Sequence, residues 1–477
     1  MNVDIDNTKL AGILRSLDKG GRLSGKRFLE SPYFNSSKEL LKLFLEIHKL
    51  IDKDKPLDKE ILWRKISTDK TYNDVRFRKY CSDLSKLMEQ FLAQKEFEKD
   101  PVQKHIFLLR GIKDVESQKV INSTLREANE LSEKAEFKDG DYYLNQYLIQ
   151  RSFYEIFDFE TRRSDKANLD EISKYLDFLY FSEKLRISCE VIQRQNFKAY
   201  DYNLSFTPTL QEYLKNNNLV EQSPIIALYY QIHKMWSDFD DEEHYFKLKS
   251  LIAEHAHLFT PQKAVEDLYT TAQNYCVKRL NQGEGKYLSE LFVLFKMLIN
   301  NNLLVINKEL NPWYFRNIIV VGLRLGEYNW TEEFIEQYKN YLPAGLKDNA
   351  VTYNLAQLYF YQKRYSEVIR QLQSVEYDDL SYNLNSKAML LATYYELDEI
   401  DLLDSHLETF NTFLKRRTDF PDERKKPYKT LIKFTKKLSR IIPKDKTAMN
   451  KLREDIIADG NVANANWLLE KIVALEH

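Results

Sequence analysis

Asn354-Leu355-Ala356-Gln357-Leu358-Tyr359-Phe360-Tyr361-Gln362-Lys363-Arg364-Tyr365-Ser366-Glu367-Val368 is the stretch on which the reading of this chain turns. A leucine followed by a small residue, Leu355-Ala356, is succeeded three positions on by Tyr359, then by a polar turn, by Tyr365 and by Val368. That spacing describes one helix, its turn and the start of a partner helix.

The pattern recurs on both sides. Upstream, Gly326-Glu327-Tyr328 with Thr331 and Ile335 matches Lys363-Arg364-Tyr365 with Val368 and Leu372; downstream, Ala392, Tyr395, Ile400, Leu403 and Leu407 replay Ala356, Tyr359, Tyr365, Val368 and Leu372. The offsets are about 37 and 35 residues, close to a 34-residue helical repeat. These units resemble the tetratricopeptide repeat. They depart from it in two respects: the small residue at the helix crossing is Ala in none of the turns, and the first copy lacks the Leu-small pair in register. The resemblance implies stacked antiparallel helix pairs, and hence an all-α chain built as a right-handed α-solenoid.

Composition points the same way. Only 12 Gly and 11 Pro accompany 43% hydrophobic residues, about half the usual supply of helix breakers. Residues 1–100 read as an N-terminal helical module. Ser36 and Glu39 form a capping pair ahead of Leu40, Phe44, Ile47 and Ile51, and Asn73-Asp74 opens a longer helix that stops near Asp100-Pro101. Residues 101–306 read as an irregular array of helical pairs, broken at Thr207-Pro208, Ser223-Pro224, Thr260-Pro261 and Gly283-Glu284-Gly285. Residues 307–417 hold the repeats, and 418–477 a basic amphipathic helix and a capping helix starting at Asn461, with Trp467, Leu468, Ile472 and Leu475 on its apolar side. No period-two run is long enough for a paired sheet, so strands are not expected.

The whole chain also resembles a bacterial family of long, uncharacterised helical-repeat proteins. Ser31-Pro32-Tyr33-Phe34-Asn35, Asn274-Tyr275-Cys276, Asn311-Pro312-Trp313 and Leu391-Ala392-Thr393-Tyr394-Tyr395-Glu396-Leu397 carry that likeness. It implies a fold and no chemistry.

The 71 Lys plus Arg nearly balance the 72 Asp plus Glu, so the chain as a whole has no field that steers it to nucleic acid or membrane. Cys81, Cys189 and Cys276 are too far apart in sequence for a CxxC site and read as buried small hydrophobes. With no signal-like or membrane-spanning apolar run, a soluble cytoplasmic protein is expected.

No catalytic constellation stands out, and no cofactor or metal is expected. Gly20-Gly21-Arg22-Leu23-Ser24-Gly25-Lys26-Arg27 comes within one residue of a phosphate-binding loop, but Arg27 replaces the hydroxyl that would hold Mg²⁺. A helix-to-helix turn with a Ser24 cap explains the same residues. His244, His255 and His257 follow the acidic run 238–243; surface clustering accounts for them better than metal ligation, because i, i+2 histidines face apart on a helix.

Two surfaces remain as candidates. The resemblance to tetratricopeptide repeats maps a partner groove onto Arg316, Val320, Tyr353, Asn354, Gln357, Phe360 and Tyr361, suited to a peptide or helix. Val320 stands where the carboxylate-clamp subset would need Asn. Separately, residues 415–453 carry about fifteen Lys or Arg against about four Asp or Glu. On a helix over 424–442, Lys425, Lys429, Lys433, Lys436 and Arg440 form one stripe, opposite Tyr428, Leu431, Ile432, Leu438 and Ile441. Neutralisation by the acidic run Glu376 to Glu408, or plain solvation, is favoured over a dedicated anion site as the account of that stripe. The function expected is a non-enzymatic adaptor that binds a protein or peptide in its groove; the alternative is nucleic-acid or ribosome association through the basic helix.

Overall fold

The computed structural model describes residues 5–69, 71–112, 117–156, 166–197, 202, 212–214, 216–373, 380–417 and 421–476. Thr207-Pro208 and the acidic residues Glu376, Asp378 and Asp379 lie outside them. The chain divides into two compact units, 1–181 and 182–477.

The first unit opens with α1 (Lys9–Ser16), α2 (Lys19–Glu30), α3 (Lys38–Ile51), α4 (Lys59–Ile66) and α5 (Asp74–Phe97). Each starts where a short polar side chain (Thr8, Asp18, Ser37, Asp58, Asn73) accepts the backbone N–H three residues on, satisfying a donor the helix cannot pair internally. Ser37, not Ser36, caps α3; its hydroxyl also donates to Glu39 at 2.8 Å. The glycine-rich run at 20–27 is not a loop at all. It lies inside α2, capped by Asp18, and Ser24 caps nothing. Gly25 is there for contact: a Cβ would sit 3.2 Å from the Phe44 ring of α3. Residues from Ile5 to Phe91 close one apolar core around Trp63, Phe44 and Phe77.

A second core, from Val102 to Ile149, is built by α6 (Pro101–Gly111), α7 (Gln118–Glu133) and α8 (Gly140–Ile156). Asp100 caps α6, with Pro101 at the first helical position where its missing N–H costs nothing. The division between the units falls within α9 (Leu169–Phe197).

The second unit continues with α10 (Leu219–Gln222), α11 (Pro224–Ser237), α12 (Glu243–His255), α13 (Pro261–Lys263), a π-helical turn at Ala264–Tyr269, α14 (Thr270–Asn281) and α15 (Lys286–Asn300). Tyr245 and Tyr275 stack at 5.1 Å beside Tyr287. Arg279 is only 8% exposed; it donates to the carbonyls of Phe239 and Asp240 and to Glu284, so its buried charge is fully engaged.

A hairpin of two-residue strands, β1 (Val305–Ile306) and β2 (Glu309–Leu310), follows, contrary to the expectation of no strands. Asn307 and Lys308 both hold positive φ, 53° and 67°, the backbone of a type I′ turn. Two residues per strand leave no alternating pattern for a reader of the sequence to find.

The rest is helical: α16 (Pro312–Arg324), α17 (Tyr328–Tyr338), α18 (Ala344–Tyr361), α19 (Tyr365–Gln373), α20 (Leu380–Glu396), α21 (Ile400–Arg416), α22 (Asp422–Leu438), α23 (Lys446–Asp459) and α24 (Ala465–Glu476). One backbone motif ends α16, α18 and α20. Gly326, Lys363 and Asp398 occupy the left-handed region, at φ of 78°, 59° and 56°. In each turn the next residue's N–H reaches back five positions: Glu327 to Gly322, Arg364 to Tyr359 and Glu399 to Tyr394, at 3.0, 2.8 and 3.1 Å. That bond closes a Schellman turn. The turn residues sit at the offsets read from the sequence, and α16, α18, α20 and α22 each pack on the next as well as on the helix that follows. The last helix begins at Ala465, four residues later than expected. Gly460, at φ 63°, ends α23 instead, and Leu468 and Ile472 are fully buried. Among the described residues no helix is long and apolar enough to cross a membrane.

A Cβ at Gly322 would lie 2.4 Å from the Thr331 hydroxyl, which is buried and bonded to the Glu327 carbonyl. Alanine normally stabilises a helix interior relative to glycine. Here overpacking reverses the sign: Gly322→Ala is expected to cost about 1–3 kcal/mol in chemical denaturation, and adding Thr331→Ala recovers part of it.

His48 and His233 are buried and held near 4, mainly by desolvation, with Arg22 adding to the effect on His48 and Lys234 on His233. The unfolded chain therefore binds more protons between pH 6.5 and 4, and stability present above pH 6.5 is lost as pH falls through that window. Thermal melts are expected to show a lower midpoint at pH 5 than at pH 7, with a smaller difference in a His48→Gln, His233→Gln variant.

Candidate functional site

A cavity of about 690 Å³ lies where α18, α20 and α24 meet. Tyr353, Gln357, Phe360 and Tyr361 line it from α18, Asn385, Met389 and Glu396 from α20, and Asn466, Trp467, Glu470 and Lys471 from α24. Tyr328 and Tyr365 complete the aromatic rim. Apart from Val320, which lines no part of it, four of the six residues mapped to a groove are thus brought together.

The other two are not. Asn354 is fully buried and donates to the Ala350 carbonyl of its own helix at 2.8 Å, so it faces packing rather than a partner. Arg316 is exposed but lines no part of the cavity. Tyr353 is on the wall but mostly committed inward, against Tyr382 at 5.5 Å.

Glu396 anchors the site. Its carboxylate accepts the Trp467 indole N–H at 2.8 Å and the Lys471 ammonium at 2.7 Å. Lys471 and Glu396 side chains are 16% and 14% exposed, so the pair is held in a largely dehydrated setting where each charge needs the other. The Trp467 ring meets Tyr395 edge-on at 5.4 Å. Burial pushes the Tyr361 and Tyr365 phenols up, so both remain neutral donors. The Gln357 amide donates to the Tyr353 hydroxyl at 3.2 Å, while its buried carbonyl oxygen has no partner among the described residues. Glu396, Trp467 and Lys471 were missed from the sequence. Their signal, an aromatic and a lysine four apart on the closing helix, becomes meaningful only once that helix is seen to reach α20.

The basic stripe is also changed by the fold. The helix ends at Leu438, so Arg440 lies in the turn beyond it, and Lys425 is 6% exposed and paired with Asp422 at 3.4 Å. Lys429, Lys433, Lys436 and Arg440 are exposed. Among the described residues the ion pairs of α22 go to Asp422 and Asp455, and Glu396 of the acidic run pairs with Lys471 instead. Glu376, Asp378 and Asp379 of that run lie outside the described residues.

The histidines separate. His244 takes Gln231 at 3.1 Å, while His255 lies beside Glu254. Asp238, Asp241 and His244 place ligand atoms within 4.8 Å of one another, a common arrangement of exposed acidic groups.

Comparison with known proteins found no matching family model, no similar curated protein and no similar solved structure.

Glu396→Ala leaves Lys471 and the Trp467 indole without their acceptor. It is expected to cost about 1–3 kcal/mol and to speed amide exchange across 465–476, measured by hydrogen–deuterium exchange, while residues 102–149 exchange as before.

Proposed function

We propose that the protein is a non-enzymatic cytoplasmic adaptor that holds a peptide or helical segment of a partner in the cavity between α18, α20 and α24. In this reading residues 312–476 are a tetratricopeptide-like, right-handed α-solenoid whose first helices line a continuous binding face. One observation carries it: four residues chosen from the repeat register meet at one cavity. The wall mixes aromatic rings with amides, which suits apolar anchors together with hydrogen bonds to a peptide backbone. α24 serves as the far wall of the groove as well as the cap of the array.

A photo-crosslinking residue at Tyr361, which is 40% exposed, tests this in native cells. One dominant partner is expected from position 361 and not from the exposed Ile61 of the first unit. Capture should fall at least tenfold when Gln357→Ala and Phe360→Ala are added. Equal capture from both positions, or none from 361, would dispose of the proposal.

A further inference from the structure

We propose that the exposed face of α22, with the turn after it, docks the phosphodiester backbone of duplex nucleic acid. The surface is distinct from the cavity and does not rest on the adaptor reading.

Lys426, Lys429, Lys433, Lys436 and Lys437 are exposed along α22, and Arg440 extends them past the helix end. From 426 to 437 the helix rises about 16 Å, with successive charges about one turn apart. Four of the six, Lys426, Lys433, Lys436 and Arg440, make no ion pair among the described residues, whereas Lys429 lies 3.5 Å from Asp422 and Lys437 2.7 Å from Asp455. The single acid on the adjoining helix to pair with this row feels its field: the Asp455 carboxyl is held below its ordinary range by the bond from Lys437 and by the charges of Lys437, Lys451 and Lys433. Positive charge thus remains in excess on this face: among the described residues only Lys429 and Lys437 of the row are paired with acids.

The opposite side of the helix fixes it in place. Leu431, Phe434 and Leu438 are buried in the core shared with α24, so the lysines are presented on a rigid rod rather than a mobile tail. Preorganised charge loses little entropy on binding.

The choice of polyanion follows from what accompanies the charge. Single strands are held by aromatic platforms on which bases stack. Among the described residues of the basic face there are none, because Phe434 is buried and Tyr428 donates its hydroxyl to Asn385. Lysines without stacking groups or base-reading amides contact phosphates alone, and a duplex offers the densest phosphate array, one charge per about 1.7 Å of axis. Binding should accordingly be independent of sequence.

The test uses the full-length protein and a fluorescent DNA duplex of about 20 base pairs, its single strand and poly-glutamate, titrated at 50 and 200 mM salt. Four phosphate contacts predict a slope of log K against log salt near −3.6, or about a hundredfold weakening between those salts. The variant Lys429→Ala, Lys433→Ala, Lys436→Ala, Arg440→Ala alters only exposed side chains. It is expected to bind at least tenfold more weakly at 50 mM and to lose most of the slope. The inference is overturned if the duplex fails to bind at 50 mM salt, if the variant binds as the parent does, or if the single strand or poly-glutamate binds as tightly as the duplex.

Discussion

The second unit depends on the turn that ends each first helix. A left-handed residue at 326, 363 and 398 lets the following amide reach back into the last helical turn, and the chain then reverses into an antiparallel partner. Only one of the three is glycine. Lys363 and Asp398 adopt a conformation that costs an L-residue about 1 kcal/mol, and they hold it because the helices on either side are already fixed by burial. Val368, Leu372, Leu403 and Leu407 supply that burial from the second helices. Turn and packing are thus one constraint: neither the reversal nor the shared core exists without the other.

Closing such an array exposes a last apolar face, and α24 covers it with Leu468 and Ile472. The same helix turns its other edge, Trp467 and Lys471, toward Glu396. A capping element has thereby become one wall of the cavity. Its placement rests on a carboxylate shared by two donors, Trp467 and Lys471, a polar contact that fixes orientation more sharply than apolar burial does.

The parts legible in the sequence were those with local causes. Polar caps such as Asn73 and Asp100 announce their helices because the side chain acts within three residues. The turn register around Tyr328, Tyr365 and Ile400 was readable because a repeat is its own alignment. What failed was whatever depends on a second element. Gly20–Arg27 resembles a loop by composition, and only the nearness of Phe44 to Gly25 explains glycine inside a helix. Lys425 lies on the same helix as the exposed lysines, but the fold encloses it beside Asp422. Asn354 and Gln357 are one turn apart and chemically alike; which of them meets the cavity is decided by the neighbouring helices.

A partner seated in the cavity between α18, α20 and α24 would cover the backbone around it. Hydrogen–deuterium exchange of the full-length protein, alone and saturated with the partner captured at position 361, measures this directly. Protection gathered in residues 353–361, 385–396 and 465–476 is the result the account predicts. Protection confined elsewhere, or exchange unchanged across all three segments, would contradict it.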